Sequence, residues 1–203
     1  SVNVLRSRCM RVGRRFKSIG TRVVINGSSV DWCDELGYRG MIFKSSTVFM
    51  CNLHENKANF FRAANSILRQ VGLKNIAVLM SLVYTKCLPM LTYAVSAMML
   101  KKYKCSKLDN CLDLFLAKIF GTFNKNILRN CLYYTGYLPV SLTVALIKIN
   151  FLKSFLQLQS YNNKLFYLLK SVSQDDLSTL MASYKINFYD SSSVCKLKMW
   201  THF

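Results

Sequence analysis

The spacing of apolar residues changes near Leu53, and this change constrains the fold more than any other feature of the chain. Before it, apolar residues come in short runs separated by turn residues. Val23-Val24-Ile25 leads into Asn26-Gly27-Ser28-Ser29, and Val30-Asp31-Trp32 follows as a return strand. An Asn-Gly pair between apolar runs is a strong hairpin signal, because both residues tolerate positive φ. Glu35-Leu36-Gly37-Tyr38-Arg39-Gly40-Met41-Ile42-Phe43 then reads as a third strand, with glycine marking a bulge or a close backbone approach. After Leu53 the spacing becomes helical: Phe60, Ala64, Ile67, Leu68 and Val71 share one face, and Gly72 closes the helix.

The remaining chain continues in that period. A second helix is expected from Lys74 toward Leu100, bent at Pro89. Others are expected at about 106–121, 139–159 and 175–185, with a weaker one near 163–172, and Pro139 suits a first helical turn. The expected class is therefore α+β. A short antiparallel β-hairpin and strand element occupies residues 1–45, a mainly helical region residues 53–160, and a helical tail residues 161–203. Ile76–Leu100 is long and apolar enough to be weighed as a membrane span. Lys86 and Pro89 interrupt its centre, where a charge is costly, so a buried helix is expected and no stable membrane association.

Charge narrows the partners. The 203 residues include 28 Lys and Arg against 9 Asp and Glu, a net charge of +19. Such an excess fits a polyanion, either nucleic acid or an anionic membrane surface. Residues 1–22 hold Arg6, Arg8, Arg11, Arg14, Arg15, Lys17 and Arg22 with no acidic residue. Arg62 and Arg69 lie seven apart and so share one side of their helix. Together with Arg11, Arg14, Arg15 and Lys86 they are the candidate nucleic-acid contacts, and neighbouring aromatics are candidates for stacking on bases.

Other chemistry is poorly supplied. The eight cysteines form no C-x-x-C pair and there are two histidines, so no zinc pattern arises. Cys87, Cys111 and Cys131 sit in apolar surroundings and read as reduced core residues of an intracellular protein, nuclear or cytoplasmic. No secretory signal is visible at Ser1. Asp109 and Asp113 fall on one helix face. Asp175-Asp176 reads as the acidic entry to a helix, where carboxylates cap free N–H groups. No metal ligand or cofactor is assigned within the chain.

Several phrases, read in order, resemble one family. These are Asn3-Val4-Leu5-Arg6-Ser7 with Cys9 to Phe16, Asn26-Gly27 through Val30-Asp31-Trp32 to Tyr38-Arg39-Gly40, Lys57 through Phe60-Phe61-Arg62-Ala63 to Val71-Gly72, and Lys86-Cys87-Leu88-Pro89 to Leu91-Thr92-Tyr93. Together they resemble the end of the palm, the primer grip and the thumb of non-LTR (LINE-type) retrotransposon reverse transcriptases. The resemblance covers about residues 1–155 and weakens after residue 112. It implies that Arg6 stands near the leaving pyrophosphate, and that Tyr38 and Gly40 grip the primer 3′ end. It also implies that Arg62 and Arg69 face a template–primer, either an RNA–DNA hybrid or a DNA duplex. The catalytic aspartates and their Mg²⁺ would belong to polymerase regions upstream of Ser1, so this chain alone is expected not to polymerise.

Three positions depart from the family. It usually has leucine where Arg39 stands, and often has proline at Arg14 and glycine at Ala94. Arg39 is expected to pack inward as damage in a truncated or decaying copy; the alternative is that a bulge at Gly40 turns it outward, where it could reach a phosphate. The other readings are a non-catalytic basic helical module that binds nucleic acid and a membrane-associated helical protein.

Overall fold

The structure, a computed structural model, describes residues 3–18, 20–95, 102–157 and 164–202. The chain is α+β, with small antiparallel sheets followed by helices, as the change of period requires. It divides into two compact units, Ser1–Glu55 and Asn56–Phe203.

In the first unit, β1 (Val23–Ile25) pairs with β2 (Ser28–Val30) around Asn26-Gly27. Both loop residues have positive φ, 51° and 78°, which matches the twist of a two-residue hairpin. The return strand therefore begins at Ser28, two residues earlier than the apolar pattern suggested.

The run Glu35–Phe43 is not one strand. It folds as β3 (Glu35–Tyr38) and β4 (Met41–Lys44), with Tyr38 paired to Met41, and β5 (Met50–Asn52) completes the sheet. Arg39 and Gly40 form the loop, with φ of 47° and 76°. Arg39 is exposed, with its guanidinium carbon 5.7 Å from the centre of the Tyr38 ring. The expected inward charge is thus corrected: a two-residue loop carries its side chains to solvent, and the buried member of the hairpin is Met41.

The segment from Cys9 to Gly13 ties the two hairpins of this unit. The Cys9 N–H donates to the Asp31 carbonyl at 2.9 Å, and the Cys33 N–H to the Cys9 carbonyl at 2.8 Å. The Gly13 N–H donates to the Ser46 carbonyl at 2.9 Å, and Ser45 Oγ to the Arg11 carbonyl at 2.8 Å.

Helix α1 (His54–Val71) starts where Asn52 Oδ1 accepts the His54 N–H at 3.0 Å. It buries Asn56, Phe60 and Ala64 at four-residue spacing. It stops at Gly72, whose φ of 66° ends the helix and whose N–H bonds to the Leu68 carbonyl at 2.9 Å.

The helix expected from Lys74 is broken into α2 (Ile76–Leu82), a π turn at Val83–Cys87 and α3 (Leu88–Thr92). Pro89 has no N–H to give the carbonyl four residues back. The turn widens, and the Leu88 N–H reaches the Val83 carbonyl instead. At Tyr93, ψ swings to 126° and the helix ends, and Asn56 Nδ2 donates to the Met90 and Tyr93 carbonyls at 3.1 and 3.2 Å. A buried amide thus satisfies helix-end acceptors that would otherwise lack donors. The stretch expected to reach Leu100 passes outside the described residues after Val95.

Helices α4 (Lys102–Phe120) and α6 (Val140–Gln157) lie close to the expected positions, while α5 (Lys125–Tyr134) between them was not expected. Asp109 Oδ1 on α4 accepts the Ser141 N–H at 2.8 Å and so caps the start of α6. Burial raises the Asp109 carboxyl above its ordinary range, against the opposing effect of the Ser141 and Val140 hydrogen bonds.

Residues expected as two helices form one, α7 (Lys164–Ser183), followed by α8 (Ser192–Trp200). Asp175 and Asp176 sit inside α7 and cap nothing. Asp176 Oδ2 accepts from Lys148 Nζ of α6 at 2.9 Å, so one of the two carboxylates has a tertiary partner instead of a helix end. Leu138, Leu142, Ile149, Leu152, Leu177, Ile186, Cys195 and Met199 form one buried cluster, so residues after 161 share a core with α6. Lys153 Nζ fastens the loop before α8, donating to the Asn187 and Asp190 carbonyls at 3.2 and 3.1 Å.

Two further expectations change. Cys87 and Cys111 are buried, but Cys131 is only half-buried. Among the described residues, the helix long and apolar enough to cross a membrane is α6, whereas the apolar stretch Ile76–Thr92 is shorter. In this structure α6 packs against α4, α7 and α8.

Candidate nucleic-acid interface

The second unit holds nineteen of the 28 basic residues and five of the nine acidic ones, so most of the excess charge lies there. Three of those five carboxylates are engaged away from α1: Asp109 with Ser141, Asp176 with Lys148, and Asp190 with Lys198 at 2.7 Å. The hydrogen bonds from Lys198 and the Asn187 N–H hold the Asp190 carboxyl below its ordinary range.

Helix α1 separates its faces sharply. At about 100° per residue, Arg62, Asn65 and Arg69 fall within an arc of roughly 60°. That arc lies roughly opposite the line of Asn56, Phe60 and Ala64 that enters the core. Arg62 and Arg69 are exposed, and Arg62 Nη1 donates to Asn59 Oδ1 at 3.1 Å, which holds the guanidinium along the helix.

Packing adds a third cation to this arc. Lys118 on α4 is exposed, and its Nζ donates to Asn65 Oδ1 at 3.0 Å. It arrives there because α4 packs on α1 through Phe115 and Phe60, whose ring centres are 6.1 Å apart. Arg62, Lys118 and Arg69 therefore form a row on the solvent side of α1. Sequence reading missed Lys118 because its place is set by contact between two helices, through residues 53 apart in the chain. Lys86 is exposed, but it lies on the π turn between α2 and α3.

In the first unit, Arg14 and Arg15 are exposed on the turn after Gly13, and Arg6 is exposed on a short 3-10 turn, Val4–Arg6. Arg8 is paired with Asp31 at 2.8 Å. Arg11 is half-buried and fixed: its Nη1 donates to Ser18 Oγ at 2.7 Å and to the Ser18 carbonyl at 3.2 Å. Tyr38 is 59% exposed at the tip of the β3–β4 hairpin, next to Arg39 and Gly40.

Such an arrangement can hold phosphates, because a row of cations along a rigid helix replaces the counterions of a backbone. No group of three His, Cys, Asp or Glu side chains placed to hold a metal ion occurs among the described residues. Comparison with known proteins returns no matching family model, no matching curated protein and no matching solved structure.

Proposed function

We propose that this chain binds the sugar–phosphate backbone of a template–primer duplex, as the primer-grip and thumb portion of a retrotransposon-type reverse transcriptase. The observation that carries the binding part is the row of Arg62, Lys118 and Arg69 on the side of α1 opposite its buried residues. Tyr38 and Gly40 are the residues for the primer 3′ end, and Arg14 and Arg15 add backbone contacts.

One departure from the family has a physical consequence that supports the resemblance. The family's glycine is replaced by Ala94, and the backbone there has φ of 56°, a region that costs an L-residue about 1 kcal/mol or more. Ala94→Gly is therefore expected to raise stability by about 0.5–1 kcal/mol, after the opposing gain in unfolded-chain freedom. Urea unfolding checks it, and a destabilised variant would remove this support.

The direct test is affinity for a labelled RNA–DNA hybrid with a recessed 3′ end, measured between 50 and 200 mM salt. A steep fall with salt is expected. Binding that is absent or indifferent to salt would refute the proposal. Equal affinity for a blunt duplex would favour the second reading, a non-catalytic basic module using the same row.

A further inference from the structure

The first unit contains a half-open cavity of about 550 Å³, a size typical of small-ligand sites. Its lining includes Arg11, Phe16, Lys17, Trp32, Asp34 and Ser45. Two cations, two aromatic rings and a carboxylate thus open onto one space.

The parts of this wall are held in place. Trp32 Nε1 donates to the Thr21 carbonyl at 3.1 Å. The indole also occupies the place of a side chain at Gly20, where an added Cβ would lie 2.3 Å from the ring. Yet Trp32 remains 40% exposed. The Arg11 guanidinium carbon is 5.1 Å from the indole centre, with Nη1 anchored on Ser18. Lys17 Nζ stands 5.7 Å from the centre of the Phe16 ring, making a second cation–aromatic pair on the same wall.

The mixture of groups selects the ligand class. A bare phosphate would gain from Arg11 and Lys17 but be repelled by Asp34. A neutral aromatic molecule would leave the cations without a counter-charge. A nucleoside phosphate supplies all three complements: an anion, a π-face, and N–H or O–H donors for a carboxylate. We propose that this cavity takes one nucleotide unit, with its phosphate at Arg11 and Lys17, its base against the aromatic wall, and a base or sugar donor on Asp34. The unit comes either from an unpaired strand or from a free nucleotide. An unpaired strand as the source rests on the nucleic-acid reading above, whereas the cavity chemistry does not.

The chain has two tryptophans, Trp32 and Trp200, so the full-length Trp200→Phe protein reports on Trp32 alone. Its fluorescence would be titrated with GMP, CMP, a short unpaired oligonucleotide and inorganic phosphate. Saturable quenching by a nucleotide or the oligonucleotide, with none from phosphate, is expected. Quenching by the oligonucleotide at 100-fold lower concentration identifies a strand, and similar concentrations identify a free nucleotide. Lys17 is exposed, so Lys17→Gln leaves the fold intact and should raise the half-saturating concentration about tenfold. Asp34→Asn, which keeps a carbonyl acceptor, should retain binding better than Asp34→Ala.

Equal quenching by phosphate, no quenching by either nucleotide or the oligonucleotide, or an unchanged Lys17→Gln titration would overturn the proposal. Replacing Arg62, Lys118 and Arg69 with alanine should leave the quenching unchanged. Loss of duplex binding with quenching retained would therefore separate the two sites.

Discussion

Phe60→Ala is expected to destabilise the helical unit by about 3–5 kcal/mol, as deletion of a fully buried ring does. Phe60 is 0% exposed and sits edge-on to two rings, Phe61 at 5.3 Å and Phe115 at 6.1 Å between centres. Truncation removes both ring contacts and opens a cavity between α1 and α4. Because net stabilities of domains are only about 5–15 kcal/mol, such a loss takes a large share of the total. Phe61 is the internal control. It is next in sequence but only half-buried, so Phe61→Ala should cost clearly less. Urea unfolding followed by helical circular dichroism checks both. Equal losses for the two variants would show that α1 does not enter the core through Phe60.

The same contact connects stability to the proposed function. Phe115 brings α4 against α1, and Lys118 lies three residues further along α4, where it reaches Asn65. A cavity at Phe60 is therefore expected to disturb the row of cations as well as the core. Loss of binding in Phe60→Ala alone would not identify a nucleic-acid contact, which is why surface substitutions are needed.

Much of the fold was legible where local chemistry decides it. Asn26-Gly27 marks a hairpin because few other pairs accept two positive φ values, and Gly72 marks the end of a helix for the same reason. The apolar period of α1 and the approximate places of α4 and α6 also follow from the residues themselves. Failures arose where a local signal had two meanings. Gly40 was read as a strand glycine, but it is the second residue of a two-residue loop, with Arg39 in the position that asparagine takes in the other hairpin. Ser173 to Ser178 looked like a helix entry, because acidic and hydroxyl residues favour caps. Inside α7, however, Ser178 Oγ and Thr179 Oγ1 bond back to the Asp175 carbonyl at 2.9 Å, and Asp176 finds Lys148.

The candidate sites divide in the same way. Arg62 and Arg69 follow from helical spacing alone. Lys118 depends on packing between α1 and α4, and the setting of Trp32 against Gly20 and Arg11 depends on how the segment around Arg11 crosses the hairpins. Residues that act through one element are readable from a sequence, whereas those gathered from two elements require the fold.

Replacing Arg62, Lys118 and Arg69 together by alanine should flatten the salt dependence of duplex binding. Each phosphate contact contributes roughly 0.9 to the slope of log affinity against log salt, so three lost contacts remove about 2.7. Between 50 and 200 mM salt, the variant should lose about 40-fold less affinity than the parent protein. At low salt the parent should bind far more tightly, and the two should converge as salt rises. Arg62 and Arg69 are exposed on the face of α1 away from Phe60, and Lys118 is exposed on α4, so the unfolding midpoint should change little. Lys118→Ala alone provides the sharpest arm, because only the packing of α4 on α1 places this residue in the row. A slope reduction near one-third of the triple variant's is the expected result. An unchanged slope in Lys118→Ala, with a reduced slope in Arg62→Ala and Arg69→Ala, would confine the interface to α1. An unchanged slope in the triple variant would move phosphate binding elsewhere and refute the row as the interface.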